Sequence, residues 1–361
     1  MKILFIFLFI AIFTLVVFNG PMKLSVFPSP SPTPIPSPTP RFNPLQVRAS
    51  IPYWDQREAF NSFSQNVGVF NHLSLFWYYL SADGSINKYQ YAVEDKNIID
   101  FSRRNDVKVT AVLTNLPEKS GSAWDSERVE YILDNEDARS QLIREIGQLL
   151  DKLEFDGVTI DFEEVIKEER DNFSDFIKEL SDYLHQQGKI VQVALHPKTG
   201  TQEDRYQFQD WQKISKSADQ IYIMAYGEHY DEGEPGPIAS LPWIEKIIDY
   251  ALKLNLPFNK LYLGIPLYGY DWQDGEDKAV GLTYRQVQNL QKEFDIESLW
   301  DEVSKSPYFI YEKDGIKHEV WFENKESAFH KKQLAFKASF GGVTFWRLGG
   351  EDQKVWDLFN K

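Results

Sequence analysis

The sequence predicts an α/β fold: a closed (β/α)8 TIM barrel with a small α+β insertion between strands 7 and 8. Three observations predict it. Eight short β-rich runs follow residue 46, amphipathic helical patterns separate them, and the connection from the seventh run to the eighth is much longer than the others. Alternating strand and helix implies parallel strands joined by crossover helices. Eight such units imply closure into a barrel.

The elements follow in order. Residues 1–20 carry one Lys and then an apolar run from Ile3 to Phe18. No small-x-small cleavage pattern follows, so an uncleaved signal-anchor is favoured over a removed signal, with the N-terminus cytoplasmic. Residues 21–46 contain PSPSPTPIPSPTP, a Pro/Ser/Thr tract expected to form an extended spacer. Residues 47–361 form the expected catalytic barrel. Its strands are expected at Val47–Tyr53, Leu73–Leu80, Lys108–Leu113, Gly157–Phe162, Ile190–Leu195, Gln220–Tyr226, Lys260–Leu267 and Gly342–Leu348. Leu142, Ile143, Ile146, Leu149 and Leu150 keep helical spacing, as do Phe173, Phe176, Ile177, Leu180 and Leu184, and Ile244, Ile247, Ile248 and Leu252. Residues 273–341 are the expected insertion. TYRQVQNLQKEF reads as a helix, and the strands around Lys313-Asp314-Gly315 read as a hairpin, because Asp-Gly suits a tight turn. An open doubly wound sheet is the alternative, but WDQREAF after the first strand lacks a Gly-rich phosphate loop.

Composition narrows the chemistry. A net charge of −15 and no evident basic face argue against a nucleic-acid partner and suit a neutral substrate. The absence of Cys excludes disulfides, thiolate metal sites and a Cys nucleophile. The six His form no His-x-x-x-His pattern, and there is no Gly-x-Ser-x-Gly elbow. Ten Trp and eighteen Tyr could supply flat surfaces for sugar rings or simply fill a large core.

The sharpest feature is FDGVTIDFEE, residues 155–164, on the fourth strand. Side chains alternate across a strand, so Val158, Ile160 and Phe162 face the helices while Thr159, Asp161 and Glu163 face the barrel interior. Two neighbouring carboxylates raise one another's pKa, which suits a general acid near neutral pH. Glu163 falls at the C-terminal end of its strand, where barrel active sites lie.

At these residues the chain resembles glycoside hydrolase family 18, the chitinase-like family. Asp156, Gly157, Asp161 and Glu163 match its Asp-Gly-x-Asp-x-Asp-x-Glu pattern, while Thr159 replaces the middle Asp. Met224 and Tyr226 match the Met-x-Tyr-Asp segment of strand six, while Gly227 replaces its Asp. LGIPLYGYDW and GGVTFWRLGGED are similar to strands seven and eight, and GEPGPIAS resembles the spore-germination, peptidoglycan-active branch. The resemblance covers essentially all of residues 47–361.

That resemblance implies a substrate-assisted, retaining glycosidase with no metal or organic cofactor. Glu163 would protonate the leaving oxygen, Asp161 would orient the substrate's acetamido group, Tyr226 would hydrogen-bond its oxygen, and Trp346 would form the floor under the reacting sugar. Thr159 and Met224 are further expected substrate-binding residues on the barrel's inner face. Tyr53, Tyr268 and Trp272 are rim candidates for sugar contact, and His229 has the parity to reach the pocket. His196 reads as a structural histidine at the rim. The implied partner is an N-acetylated polysaccharide or oligosaccharide, of chitin or peptidoglycan type, with the membrane contacted through the N-terminal segment and a monomer expected. A catalytically weak, lectin-like barrel is the competing reading, kept open by Gly227, and a barrel enzyme of another class is a third.

Overall fold

The structure is a computed structural model that describes residues 44–359 apart from 82, 119–123 and 201–205. The expected signal-anchor and the Pro-rich tract lie outside the described residues.

Eight parallel strands close a barrel: β1 (Gln46–Pro52), β2 (His72–Leu80), β4 (Lys108–Thr114), β5 (Gly157–Asp161), β6 (Ile190–Leu195), β7 (Gln220–Ile223), β8 (Leu261–Pro266) and β14 (Gly342–Trp346). Each pairs with its sequence neighbour in the ring. β1 closes it by pairing with both β2 and β14, at Arg48↔His72 and Gln46↔Gly342. A short strand, β3 (Ile86–Lys88), adds antiparallel to β2. The predicted barrel is therefore observed.

Helices cover the outside of the ring, and α4 (Glu136–Leu153) and α5 (Arg170–His185) show why they dock. Their apolar residues, including Leu142, Ile146, Phe173, Phe176 and Ile177, are almost wholly buried, and each such side chain taken from water contributes about 1.5–3 kcal/mol. Asn135 caps α4 by accepting from Ala138 N–H. Directly after β5, Phe162 stacks on Phe176 with ring centroids 6.1 Å apart. This contact fixes one face of the strand outward and turns the alternate residues inward.

The Asp-Gly that opens β5 is structural. Asp156 Oδ2 accepts from Val109 N–H at 2.7 Å. A side chain at Gly157 would place Cβ 2.1 Å from the Ile190 carbonyl oxygen, so only glycine allows β6 this close.

A second, five-stranded antiparallel sheet lies in sequence between β8 and β14. It comprises β9 (Tyr268–Gln273), β10 (Val280–Thr283), β11 (Leu299–Asp301), β12 (Ser306–Lys313) and β13 (Ile316–Phe322), with α8 (Tyr284–Phe294) beside it. The hairpin turns at Asp314-Gly315. The sheet has a core of its own, with Leu282, Val287, Phe309, Tyr311, Val320 and Phe322 buried together. It starts at Tyr268, earlier than the expected 273, because β9 pairs with β13. After it, α9 (Lys325–Lys337) packs back on β8 and β14.

Candidate active site

The barrel interior below the site is polar and linked by hydrogen bonds. Arg48, on β1, is buried. Its Nε and Nη2 donate to Ser74 Oγ at 2.8 and 2.6 Å, and Nη2 also donates to Thr159 Oγ1 at 2.8 Å. Thr159 Oγ1 donates in turn to Gln192 Oε1 at 2.8 Å and lies 3.1 Å from Thr110 Oγ1. The guanidinium also sits 4.3 Å from the centre of the Tyr222 ring. A cation therefore bonds the residue that stands where the resembled pattern has an Asp. Two hydroxyls that bond it and one aromatic face offset part of the cost of burying it.

Asp161 stands one inward position above Thr159. It is buried, and its Oδ1 has no hydrogen-bond partner. Burial pushes its pKa up to about 7, against the opposing pull of Arg48. Desolvation is the largest cause, rather than the like-charge repulsion expected from sequence, and Arg48 pulls the other way.

Glu163 lies just beyond the end of β5, and Asn115 holds its backbone. This fully buried residue follows β4. Its Oδ1 accepts from Glu163 N–H and its Nδ2 donates to Glu163 O, both at 2.9 Å. The Glu163 side chain is 15% exposed, and its Oε2 lies 3.3 Å from His196 Nε2.

Tyr226 follows β7 and is partly buried. Its pKa is raised well above the ordinary tyrosine value, by burial first, then by Tyr222 and by the charges of Asp161 and Glu163. Both carboxylates thus act on one phenol. Met224 is buried with Ala194, Tyr222 and Tyr262, against which Tyr226 packs. Gly227 has φ +82°, and a Cβ there would meet nothing within 4 Å. Beside it, Glu228 accepts from Ser240 N–H and Oγ at 2.6 and 2.9 Å and so braces the start of α7 (Leu241–Lys253).

The aromatic rim divides into two parts. Trp346 lies edge-on to Trp54 at 6.2 Å and to Phe76 at 5.6 Å. It lines a cavity of about 300 Å³ with Tyr268, Tyr270, Leu282, Gln286 and Arg347. Glu163 is not among the residues lining that cavity. Tyr226 connects the two regions, because its ring lies edge-on to Tyr268 at 6.4 Å. Tyr53 stacks on Tyr89 at 4.2 Å and lines a second hollow, of about 500 Å³, with Trp54 and Tyr91.

Two sequence candidates lie in supporting positions. Trp272 is buried and donates from Nε1 to Gly233 O at 2.9 Å. His229 Nδ1 is 2.8 Å from Glu234 O, and its ring covers Gly236 so closely that a Cβ there would sit 2.5 Å away. Both tie down the loop 227–240. Three residues close to the carboxylates were missed or discounted in the sequence: Arg48, Asn115 and His196. Arg48 carried a signal, a charge inside an otherwise uncharged strand.

The site is thus a closed parallel barrel with an Asp-x-Glu pair at the C-terminal end of its fourth strand, and the family to which the chain belongs makes it a glycosidase. The chain belongs to the glycosyl hydrolases family 18, whose model matches residues 53–351. Among curated relatives, it is 30% identical over 268 residues to the uncharacterized glycosylase YvbX of Bacillus subtilis, covering 73% of this chain and 77% of that one. It is 27% identical over 271 residues to the cortical fragment-lytic enzyme of Bacillus subtilis, covering 73% of this chain and 62% of that one. Among solved structures, a chitinase from Chromobacterium violaceum superimposes with a TM-score of 0.78 at 26% identity, over 88% of this chain and 98% of that one.

No helix among the described residues is long and apolar enough to cross a membrane.

Proposed function

We propose that this glycosidase cleaves β-1,4 bonds of N-acetylhexosamine glycans by substrate-assisted, retaining catalysis. Glu163 protonates the glycosidic oxygen as the bond to the anomeric carbon breaks. The substrate's acetamido carbonyl attacks that carbon and closes an oxazolinium ring. Asp161 accepts from the acetamido N–H, and Tyr226 donates to the acetamido oxygen. Trp346 carries the apolar face of the sugar. Water then opens the ring with Glu163 as base, and the product keeps its configuration. Tyr53 and Tyr268 extend the sugar-contacting rim.

The observation that carries this reading is two carboxylates on the inward face at the end of one barrel strand, Asp161 buried with no partner for Oδ1 and Glu163 just beyond it and 15% exposed. Burial helps the chemistry: a desolvated Asp161 interacts more strongly with a developing positive charge than a hydrated one does. Open space at Gly227 leaves room beside the acetamido group where the family pattern has an Asp.

Peptidoglycan-type glycan is the preferred substrate within this class. The GPIAS segment, the identity shared with a cortical fragment-lytic enzyme and an apolar N-terminal segment followed by a Pro-rich spacer support that choice. The same features support an extracytoplasmic location, with the domain held at a membrane surface by residues 1–20.

The test is turnover by the purified full-length chain on N-acetylglucosamine oligomers and on peptidoglycan, with Glu163→Gln alongside. Wild type is expected to cleave, and the variant to lose about 10²–10⁴-fold. No turnover of either substrate, or undiminished turnover by the variant, contradicts the proposal. Tight binding without turnover selects the lectin-like alternative.

A further inference from the structure

His196 follows β6 directly, at the same end of the barrel as Glu163. It is buried. Its backbone N–H donates to Gln209 Oε1 at 2.7 Å. Its ring lies flat against Tyr206, with centroids 4.0 Å apart and planes 14° from parallel. With backbone and ring both held, Nε2 lies at ion-pair distance from Glu163 Oε2, 3.3 Å away. On the other partner, Asn115 holds the Glu163 backbone from both sides. A titratable ring is thus fixed at contact distance from the candidate proton donor, although packing alone would not require an imidazole there.

We propose that His196 is a positioning residue for Glu163, and that the two side chains hold between them the single proton that Glu163 delivers to the leaving oxygen. The inference rests on the reading of Glu163 as proton donor. A carboxyl–imidazole pair with one proton exists as carboxylate and imidazolium or as carboxyl and imidazole, and it titrates as a unit. Its last proton leaves only when the imidazolium, stabilised by the carboxylate, gives it up. An isolated glutamate would lose its proton near its ordinary value of about 4.3, whereas an isolated histidine keeps its proton to about 6.5. The pair therefore keeps the donor loaded at higher pH than a lone glutamate would. An opposite charge at this distance moves each partner by about 1–3 units.

Three phenols face the pair: Tyr222 from β7 and Tyr226 from just after it lie within the field of Glu163, and Tyr206 from the β6 connection stacks on the His196 ring. Asp161 stands one inward position below Glu163, at the end of β5, and Lys198 is two residues beyond His196. Glu163 acts electrostatically on both Tyr222 and Tyr226. Lys198 is buried, donates to Gln209 O at 2.7 Å, and is lowered to about 8 by that burial. These groups are present with and without the imidazole, so a His196 variant isolates its contribution.

Two measurements on the full-length chain test the proposal. In the first, kcat/KM is followed against pH on an N-acetylglucosamine oligomer for wild type and His196→Gln. The basic limb is expected to move to lower pH by at least about one unit, with activity on the acid side within about tenfold of wild type. A loss by the same factor at every pH would mean a merely structural role and overturn the proposal.

In the second, the His196 imidazole is titrated by NMR in wild type and Glu163→Gln, with its signal assigned by its absence in His196→Gln. It is expected to titrate at least about one unit lower in Glu163→Gln. An unchanged titration overturns the pair, and a coupled titration with an unmoved basic limb overturns the proton-holding role. The NMR needs no turnover. An inactive wild type would therefore contradict the glycosidase substrate reading while the pair itself is still decided.

Discussion

Replacing Asp161 with Asn should make this protein more stable at alkaline pH relative to wild type, and the size of the effect can be worked from the structure. Burial lifts the Asp161 pKa to about 7. A group raised in the folded state contributes its full stability below its unfolded pKa, near 4, and loses it as the pH rises through the folded value. The shift is about three units, and each unit corresponds to about 1.4 kcal/mol, so wild type carries a penalty of about 4 kcal/mol at pH 8 that is absent at pH 4. Asn carries no such penalty at either pH. Water entry on ionisation would reduce the figure, which makes it an upper value. The assay is urea unfolding of wild type and Asp161→Asn at intervals between pH 4 and 8, with the difference between the two proteins plotted against pH. Titrations of groups remote from Asp161 cancel in that difference. The gap is expected to widen in favour of Asn by up to about 4 kcal/mol, with its midpoint between pH 4 and 7. A gap constant to within about 0.5 kcal/mol would refute the reasoning, because Asp161 would then titrate alike in both states. The gain in stability should accompany a loss of turnover, since the strained carboxylate is the one assigned to the acetamido group.

Three further outcomes follow from neighbouring residues. Asn115→Ala removes both bonds that hold the Glu163 backbone; kcat should fall about 10–100-fold, with KM little changed and about 1–3 kcal/mol lost in unfolding experiments. Arg48→Met removes the cation that opposes the upward shift of Asp161, so the pH-dependent gap described above should move to still higher pH. Trp346→Ala opens the apolar wall of the 300 Å³ cavity and should lower kcat/KM by about 10–100-fold on oligomers, read by steady-state kinetics, while an effect confined to thermal stability would place the indole in the core alone.

How far the sequence could be read depended on the range of the interactions. The barrel strands were legible because each is a short apolar run bounded by polar turns, and Gly157–Asp161 could be oriented from alternation alone. Ends were less so. β7 stops at Ile223, three residues short of the expected Tyr226, because the backbone then turns, with Ala225 N–H donating to Ile223 O and Tyr226 N–H to Met224 O. Tyr268 and Trp272 share one face of β9, whose partner β13 is almost fifty residues away in the chain, so their strand could not be foreseen locally. Asp161 and Glu163 stand two apart on one strand, so local geometry links them. Arg48 comes from β1 and reaches Thr159, while Asn115 and His196 come from just after β4 and β6 and reach Glu163, so only closure of the ring brings all three to the fourth strand. Thr159 shows this most clearly. In the sequence it is a missing carboxylate, and in the fold it is the acceptor for a buried guanidinium.

The central claim is that Glu163 donates a proton while the substrate's own acetamido group forms the intermediate. The most direct test is the anomeric configuration of freshly released product, read by proton NMR within the first minutes of hydrolysis of an N-acetylglucosamine oligomer, before mutarotation. The account predicts the β anomer, with no cleavage of the same oligomer after deacetylation. Release of the α anomer, or equal cleavage of the deacetylated oligomer, would contradict it.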